Sequence, residues 1–260
     1  MTPLLQTHNL TVGYKQGKTA VPVLRNLDLQ LRAGTLVALL GRNGAGKSTL
    51  LRALTRDTQP LAGTITVAGK PLAGISQREL SRLVGLVGTD RIQAGALTVT
   101  ELVALGRQPH TGFLGRMSRS DHEVVDAAVT AVGMTHKAAE MVATLSDGER
   151  QKAMIAKALA QETPIIVLDE PTAFLDVASR IETMNLLTHL AHDQGKAVLL
   201  SSHDISQSLL LADELWVITH DNLLLTGTTQ DMMNSGAMDR IFATTAIAFN
   251  PQMQQFTLSR

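Results

Sequence analysis

Residues 37–51, Val-Ala-Leu-Leu-Gly-Arg-Asn-Gly-Ala-Gly-Lys-Ser-Thr-Leu-Leu, constrain the fold more than any other stretch of the chain. An apolar run enters a glycine-rich turn, and Lys-Ser-Thr leads out of it into a second apolar run. Gly41, Gly46, Lys47 and Ser48 meet the spacing G-x-x-x-x-G-K-[ST] of a phosphate-binding P-loop. Gly44 adds a third glycine, so the backbone can turn tightly and aim several N–H groups inward without Cβ clashes. The helix expected from about Lys47 offers unpaired N–H groups and the positive end of its dipole to an anion. Gly41, Arg42, Asn43, Gly44, Ala45, Gly46 and Thr49 are candidate phosphate-loop residues. Lys47 is suited to bridge β- and γ-phosphates and Ser48 to ligate Mg²⁺. The plain alternative, a glycine turn between strand and helix, is disfavoured because the motif arrives with its structural setting.

Length and charge narrow the class. With 260 residues the chain can bury a large core. A formal net charge of zero and the absence of a basic tail argue against nucleic acid as a principal ligand. The lack of cysteine excludes disulfides and cysteine-ligated metals and fits a reducing compartment. The first residues lack the basic start and apolar core of a signal peptide. No apolar run approaches the ~20 residues of a membrane-spanning helix. The expectation is a cytoplasmic protein whose membrane association comes through a partner.

Along the chain, residues 4–12 and 23–32 alternate apolar and polar side chains, as half-buried antiparallel strands do. Tyr14 follows the first; from local sequence it is equally a base-stacking ring or a partly buried loop aromatic. Residues 63–74 predict another antiparallel strand and turn, and a short helix and buried strand follow, ending near Thr89. From about 98 to 143 the pattern turns helical. Asp121, after Ser120, opens a run with Val124, Val125, Ala128, Val129 and Val132 on one face, read as ordinary core. Ser146 predicts a cap for a helix running to about Gln161.

The β-branched run Ile165–Leu168 carries Asp169 and Glu170 at its C-terminal end, where ligands sit in an open parallel sheet. Asp169 suits a magnesium shell, and Glu170 suits polarising an attacking water. A solvated strand end is the bland reading, and the nearby P-loop weighs against it. Residues 179–195 predict a helix. Residues 196–204 repeat the strand-then-polar arrangement with His203 at the edge. Residues 212–228 read as a closing hairpin turning at 220–222, and the tail as helical and then loosely patterned.

These residues, over nearly the whole chain, resemble the ATP-binding cassette (ABC) ATPases. Besides residues 41–49 and 165–170, Leu145-Ser-Asp-Gly-Glu-Arg-Gln151 is similar to the family's signature motif, with Asp147 where glycine is usual. Pro171–Asp176 looks like the D-loop, His203 matches the switch histidine, and Tyr14 takes the adenine-stacking position. Leu105-Gly-Arg-Gln-Pro-His110 is similar to ATPases that power import of iron–siderophore, haem or cobalamin. The resemblance implies an α/β P-loop NTPase (RecA-like) core with an N-terminal antiparallel β subdomain and an inserted α-helical subdomain. Its boundaries would be 1–88 and 163–230 for the core, 89–162 for the helical part and 231–260 for a helical tail.

It further implies ATP and Mg²⁺ as cofactors and a head-to-tail dimer. Lys47, Ser48, Asp169, Glu170 and His203 of one copy would face Ser146, Gly148 and Glu149 of the other, with Asp176 nearby. An integral-membrane permease would be the direct partner, and a periplasmic or lipoprotein substrate-binding protein an indirect one. Where the family places a glutamine after Gly88, this chain has Thr89; Thr89, Asp90 and Gln93 are the alternatives for that metal-shell role. Soluble cassettes of DNA repair or translation carry a coiled-coil insertion or tandem cassettes, and neither is present here. An exporter cassette is a third class. A P-loop kinase or GTPase needs no signature segment.

Overall fold

A computed structural model describes residues 2–17, 19–88, 96–112, 115–173, 175–242, 244 and 246–258. Its elements in chain order are β1 (Leu5–Gln16), β2 (Thr19–Leu27), β3 (Gln30–Leu31), β4 (Leu36–Leu40), α1 (Lys47–Leu54), β5 (Ala62–Val67), β6 (Lys70–Pro71), α2 (Gln77–Leu80) and β7 (Val84–Val87). There follow α3 (Val99–Ala104), α4 (Arg119–Ala131), α5 (Asp147–Ala160), β8 (Ile165–Leu168), α6 (Val177–His192), β9 (Ala197–Ser202) and α7 (Ile205–Leu211). The chain closes with β10 (Glu214–Ile218), β11 (Leu224–Thr228), α8 (Thr229–Asn234), β12 (Ile247–Asn250) and β13 (Gln255–Leu258).

A six-stranded sheet runs β11-β10-β4-β9-β8-β7, parallel except for the β11 edge. Strands β4, β8 and β9 are buried along their whole length, as parallel strands covered on both faces must be. Alternation sends their side chains to two different cores. Leu36, Ala38, Leu40, Ile166, Leu168, Val198 and Leu200 join the helices α3 to α6. Val37, Leu39, Ile165, Val167, Ala197 and Leu199 join α1 and the antiparallel sheet. Each fully buried Leu, Ile or Val contributes about 1.5–3 kcal/mol relative to exposure.

The second sheet, β2-β1-β5-β6, is antiparallel, with β3 extending β2's edge along the start of β1. The stretch read as one strand over 23–32 is therefore two. Asn26 sits at φ 54°, and the Asp28 carboxylate turns to accept the Asn9 N–H at 2.9 Å.

Helix α4 begins earlier than its valine pattern indicates. Ser118 caps it and Asp121, at the third helical position, returns a bond to the Ser118 N–H in a capping box. Asp121 also holds Arg107 at 2.9 Å, and that buried guanidinium reaches the Ala160 carbonyl at 2.7 Å and Glu162 at 2.6 Å. One arginine thus joins the end of α3 to α4 and α5. The turn after it is anchored as well: Arg82 donates to the Pro109 carbonyl at 3.0 Å and Arg78 to that of Thr111 at 3.2 Å.

The expected helical tail over 231–260 is corrected by the structure. After α8 and a single turn at Asp239–Ile241, the chain forms the hairpin β12–β13. Asn250 accepts N–H bonds from Gln252 and Met253 at 3.0 and 3.1 Å, which turns the chain at Pro251. Phe256 then packs on Phe249 and Phe242 with ring centroids 5.3 and 5.1 Å apart. Aromatic pairing across two strands outweighs the weak helical pattern.

Gly106 lies against α5, where an added Cβ would clash with the Lys157 carbonyl and stand 3.1 Å from the Ala160 Cβ. Gly106→Ala is expected to lower unfolding stability by about 1–3 kcal/mol, the usual cost of forced overpacking, as read from a urea transition.

Candidate active site

The P-loop turn leaves β4 at Leu40 and ends at Gly46, whose left-handed φ of 106° precedes α1. A Cβ on Gly46 would stand 2.5 Å from Val23 Cγ1, so both conformation and space require glycine. Every other described α-helix has a side chain accepting from its first turn; α1 has none. Its N-terminal N–H groups are left for a ligand, and an anion suits them best.

Lys47, 5% exposed, extends over this turn. Its Nζ donates to the Gly41 carbonyl at 3.0 Å and the Arg42 carbonyl at 3.4 Å, and lies 3.6 Å from Glu170 Oε1. Ser48, Arg42, Asn43 and Gly44 are exposed at the mouth, while Ala45 and Thr49 are half-buried.

The carboxylates arrive from β8. Asp169 continues its ladder, N–H to the Val87 carbonyl at 2.8 Å, and Oδ1 accepts from Ser201 Oγ at 2.6 Å. The same Ser201 hydroxyl accepts the Glu170 N–H at 2.9 Å. Glu170 has φ 48°, a left-handed conformation that costs a non-glycine residue about 1–3 kcal/mol. Its Oε2 lies 3.7 Å from His203 Nδ1, on an imidazole that is 53% exposed. Lys47, Asp169, Glu170 and His203 therefore converge at the C-terminal ends of three neighbouring strands. Sequence reasoning missed Ser201; its only signal was a polar residue ending an apolar strand.

Ser146, Gly148 and Glu149 stand elsewhere. Ser146 caps α5, and Glu149 returns a 2.9 Å bond to the Ser146 N–H. Lys137 pairs with Glu149 at 2.9 Å. That ion pair first, and the Ser146 bonds second, pull the Glu149 carboxyl from 4.5 to about 2. A Cβ at Gly148 would come within 3.4 Å of Ser179 Oγ. Among the described residues no hydrogen bond or ion pair links this trio to the P-loop of the same chain. Asp176 caps α6 through the Ser179 N–H at 2.7 Å. Tyr14 sits in β1 opposite Val21 and is 56% exposed. Thr89, Asp90 and Gln93 lie outside the described residues.

The family model for the ABC transporter matches residues 24–173. This chain belongs to the ABC transporter family. As an ABC cassette it is an ATP-binding protein and an ATPase. A ferric enterobactin transport ATP-binding protein of Escherichia coli (strain K12) is 37% identical over 238 residues, covering 92% of this cassette and 86% of the relative. An inward-facing structure described as a metal-chelate type ABC transporter aligns with TM-score 0.80 at 28% identity, over 98% of this cassette and 96% of that chain. A dimeric ATP-binding cassette in a post-hydrolysis state with ADP and Pi aligns with TM-score 0.76 at 26% identity, over 86% and 98%.

The depressed Glu149 carboxyl gives the cassette a defined acid response. Because the folded value is below the usual 4.5, its contribution to stability is complete above that pH and is lost as pH falls toward about 2. Lys137→Met should raise the Glu149 titration midpoint, followed by carboxyl NMR, and shift acid unfolding to higher pH.

Proposed function

We propose that this cassette is the ATP-hydrolysing subunit of an importer for a metal chelate: an iron–siderophore, haem or cobalamin. The carrying observation is the convergence of Lys47, Asp169, Glu170 and His203 beside the open N-terminus of α1. The relative named for ferric enterobactin transport and the metal-chelate type transporter support the cargo class.

The roles follow from chemistry. Backbone N–H groups of residues 41–49 and the Lys47 ammonium hold the β- and γ-phosphates. The Ser48 hydroxyl and the free Asp169 Oδ2 form a hard oxygen donor set. That set fits Mg²⁺, which takes one or two protein oxygens and otherwise phosphate and water. No larger carboxylate or histidine cluster is found among the described residues. Mg²⁺ when bound would neutralise charge on the phosphates. Glu170 orients or deprotonates the attacking water, and His203 stabilises charge developing in the transition state. Thr89, Asp90 or Gln93 completes the metal shell, and Tyr14 stacks on adenine.

The site is finished by a second copy. Among the described residues Ser146, Gly148 and Glu149 make no bond to their own P-loop. The Ser146–Glu149 capping box uses the N–H groups of those two residues and leaves those of Asp147 and Gly148 for an anion from a partner. In a head-to-tail pair they meet the γ-phosphate held by the partner, with Asp176 near the seam. The dimeric cassette bound to ADP and Pi supports this arrangement. The chain divides into a nucleotide-binding core with its antiparallel β subdomain (1–88 and 163–230) and a helical subdomain (89–162).

A cleft of about 450 Å³ lined by Arg56, Gln77, Ser81 and Leu86 of the core, with Gln161 from the helical part, suits a cytoplasmic helix of the permease. No helix among the described residues is long and apolar enough to cross a membrane. In this reading attachment at the inner face of the membrane runs through that permease, and a substrate-binding protein delivers cargo from outside.

Glu170→Gln should bind ATP normally, lower kcat by about 10²–10⁴-fold and accumulate as an ATP-bound dimer in size-exclusion chromatography. Unimpaired turnover would refute the role of Glu170. Cells lacking this chain should lose uptake of a radio-iron-labelled siderophore or labelled cobalamin. The natural chain should restore it and Glu170→Gln should not.

A further inference from the structure

We propose that Ser201 is a positioning residue of the hydrolytic centre: its hydroxyl orients Asp169 for the metal and holds the Glu170 backbone in place. The proposal rests on the ATPase reading above. Strand register supplies the geometry. Leu168 pairs with Leu200, so Asp169 stands level with Ser201. Alternation continues from Ile165 and Val167 to Asp169, and from Ala197 and Leu199 to Ser201, so both side chains point to the face that α1 covers. That is the P-loop side.

Ser201 is fully buried, and both hydrogen-bonding capacities of its hydroxyl are used within the site. Its O–H donates to Asp169 Oδ1 at 2.6 Å, which fixes the carboxylate plane and leaves Oδ2 for a metal or its water. Its lone pair takes the Glu170 N–H at 2.9 Å, where the backbone is left-handed at φ 48°. One oxygen therefore ties the metal-binding carboxylate to the water-polarising one. Partners that orient a ligating carboxylate commonly govern metal affinity by about 10–100-fold when removed.

The test compares the natural chain, Ser201→Ala and Ser201→Thr with a fluorescent, non-hydrolysable ATP analogue. Anisotropy gives nucleotide affinity in EDTA, and a Mg²⁺ titration gives the half-saturating metal concentration. Ser201→Ala should raise that concentration about tenfold or more while leaving affinity in EDTA unchanged, and Ser201→Thr, which keeps the hydroxyl, should restore it. An unchanged Mg²⁺ requirement in Ser201→Ala would overturn the proposal, as would an equal loss with and without metal, the mark of a general folding defect. Failure of the natural chain itself to bind the analogue would instead overturn the ATPase reading, and the proposal with it.

Discussion

The two-sided burial of β4, β9 and β8 is the constraint on which the rest of the molecule depends. Because successive residues enter different cores, each strand has only one register in which neither core loses its side chains. That register sets Leu40 beside Ser202 and Leu168 beside Leu200. The loops that leave these strands start within two residues of one another along the sheet. Gly41, Asp169 and His203, far apart in the chain, consequently emerge at one edge of the sheet. The chemistry inherits its precision from hydrophobic packing a few ångströms below it.

Polar contacts then join what the apolar core does not. Helices α3, α4 and α5 share a core with one face of the sheet, yet their link to α2 is made by Arg78, Arg82 and Gln161 reaching backbone carbonyls. Arg107 gathers the buried Asp121, the Ala160 carbonyl and the exposed Glu162, and removing Asp121 would leave the buried guanidinium short of its buried partner. Arg180 plays the corresponding part near the site. It pairs with Asp204 at 2.9 Å and donates to the Leu175 carbonyl at 3.2 Å, tying the segment after Glu170 to the turn after His203.

Much of this was legible because it is local. The P-loop announces itself through glycines whose conformation the turn requires, and the Ser146 cap through a partner three residues on. Asp169 and Glu170 could be read as acids ending a buried strand. Ser201 could not: its bonds cross 32 and 31 residues, and nothing in the local pattern separates it from any serine closing a strand. Arg107 appeared only as part of a motif similar to importer ATPases, and its structural partners lie 14 and 55 residues away. The terminal hairpin escaped notice because its stability comes from Phe242, Phe249 and Phe256 meeting across strands.

The amino-acid order by itself determined a glycine-rich turn ahead of α1, a strand ending in two acids, and a helix capped at Ser146, since each is decided within a few residues by backbone sterics and nearby hydrogen bonds. Only the tertiary structure decided that Lys47, Asp169, Ser201 and His203 gather around Glu170 while Ser146 and Gly148 make no bond to that group. Those outcomes depend on which strands pair and in what register, a choice made by burying apolar surface from distant parts of the chain.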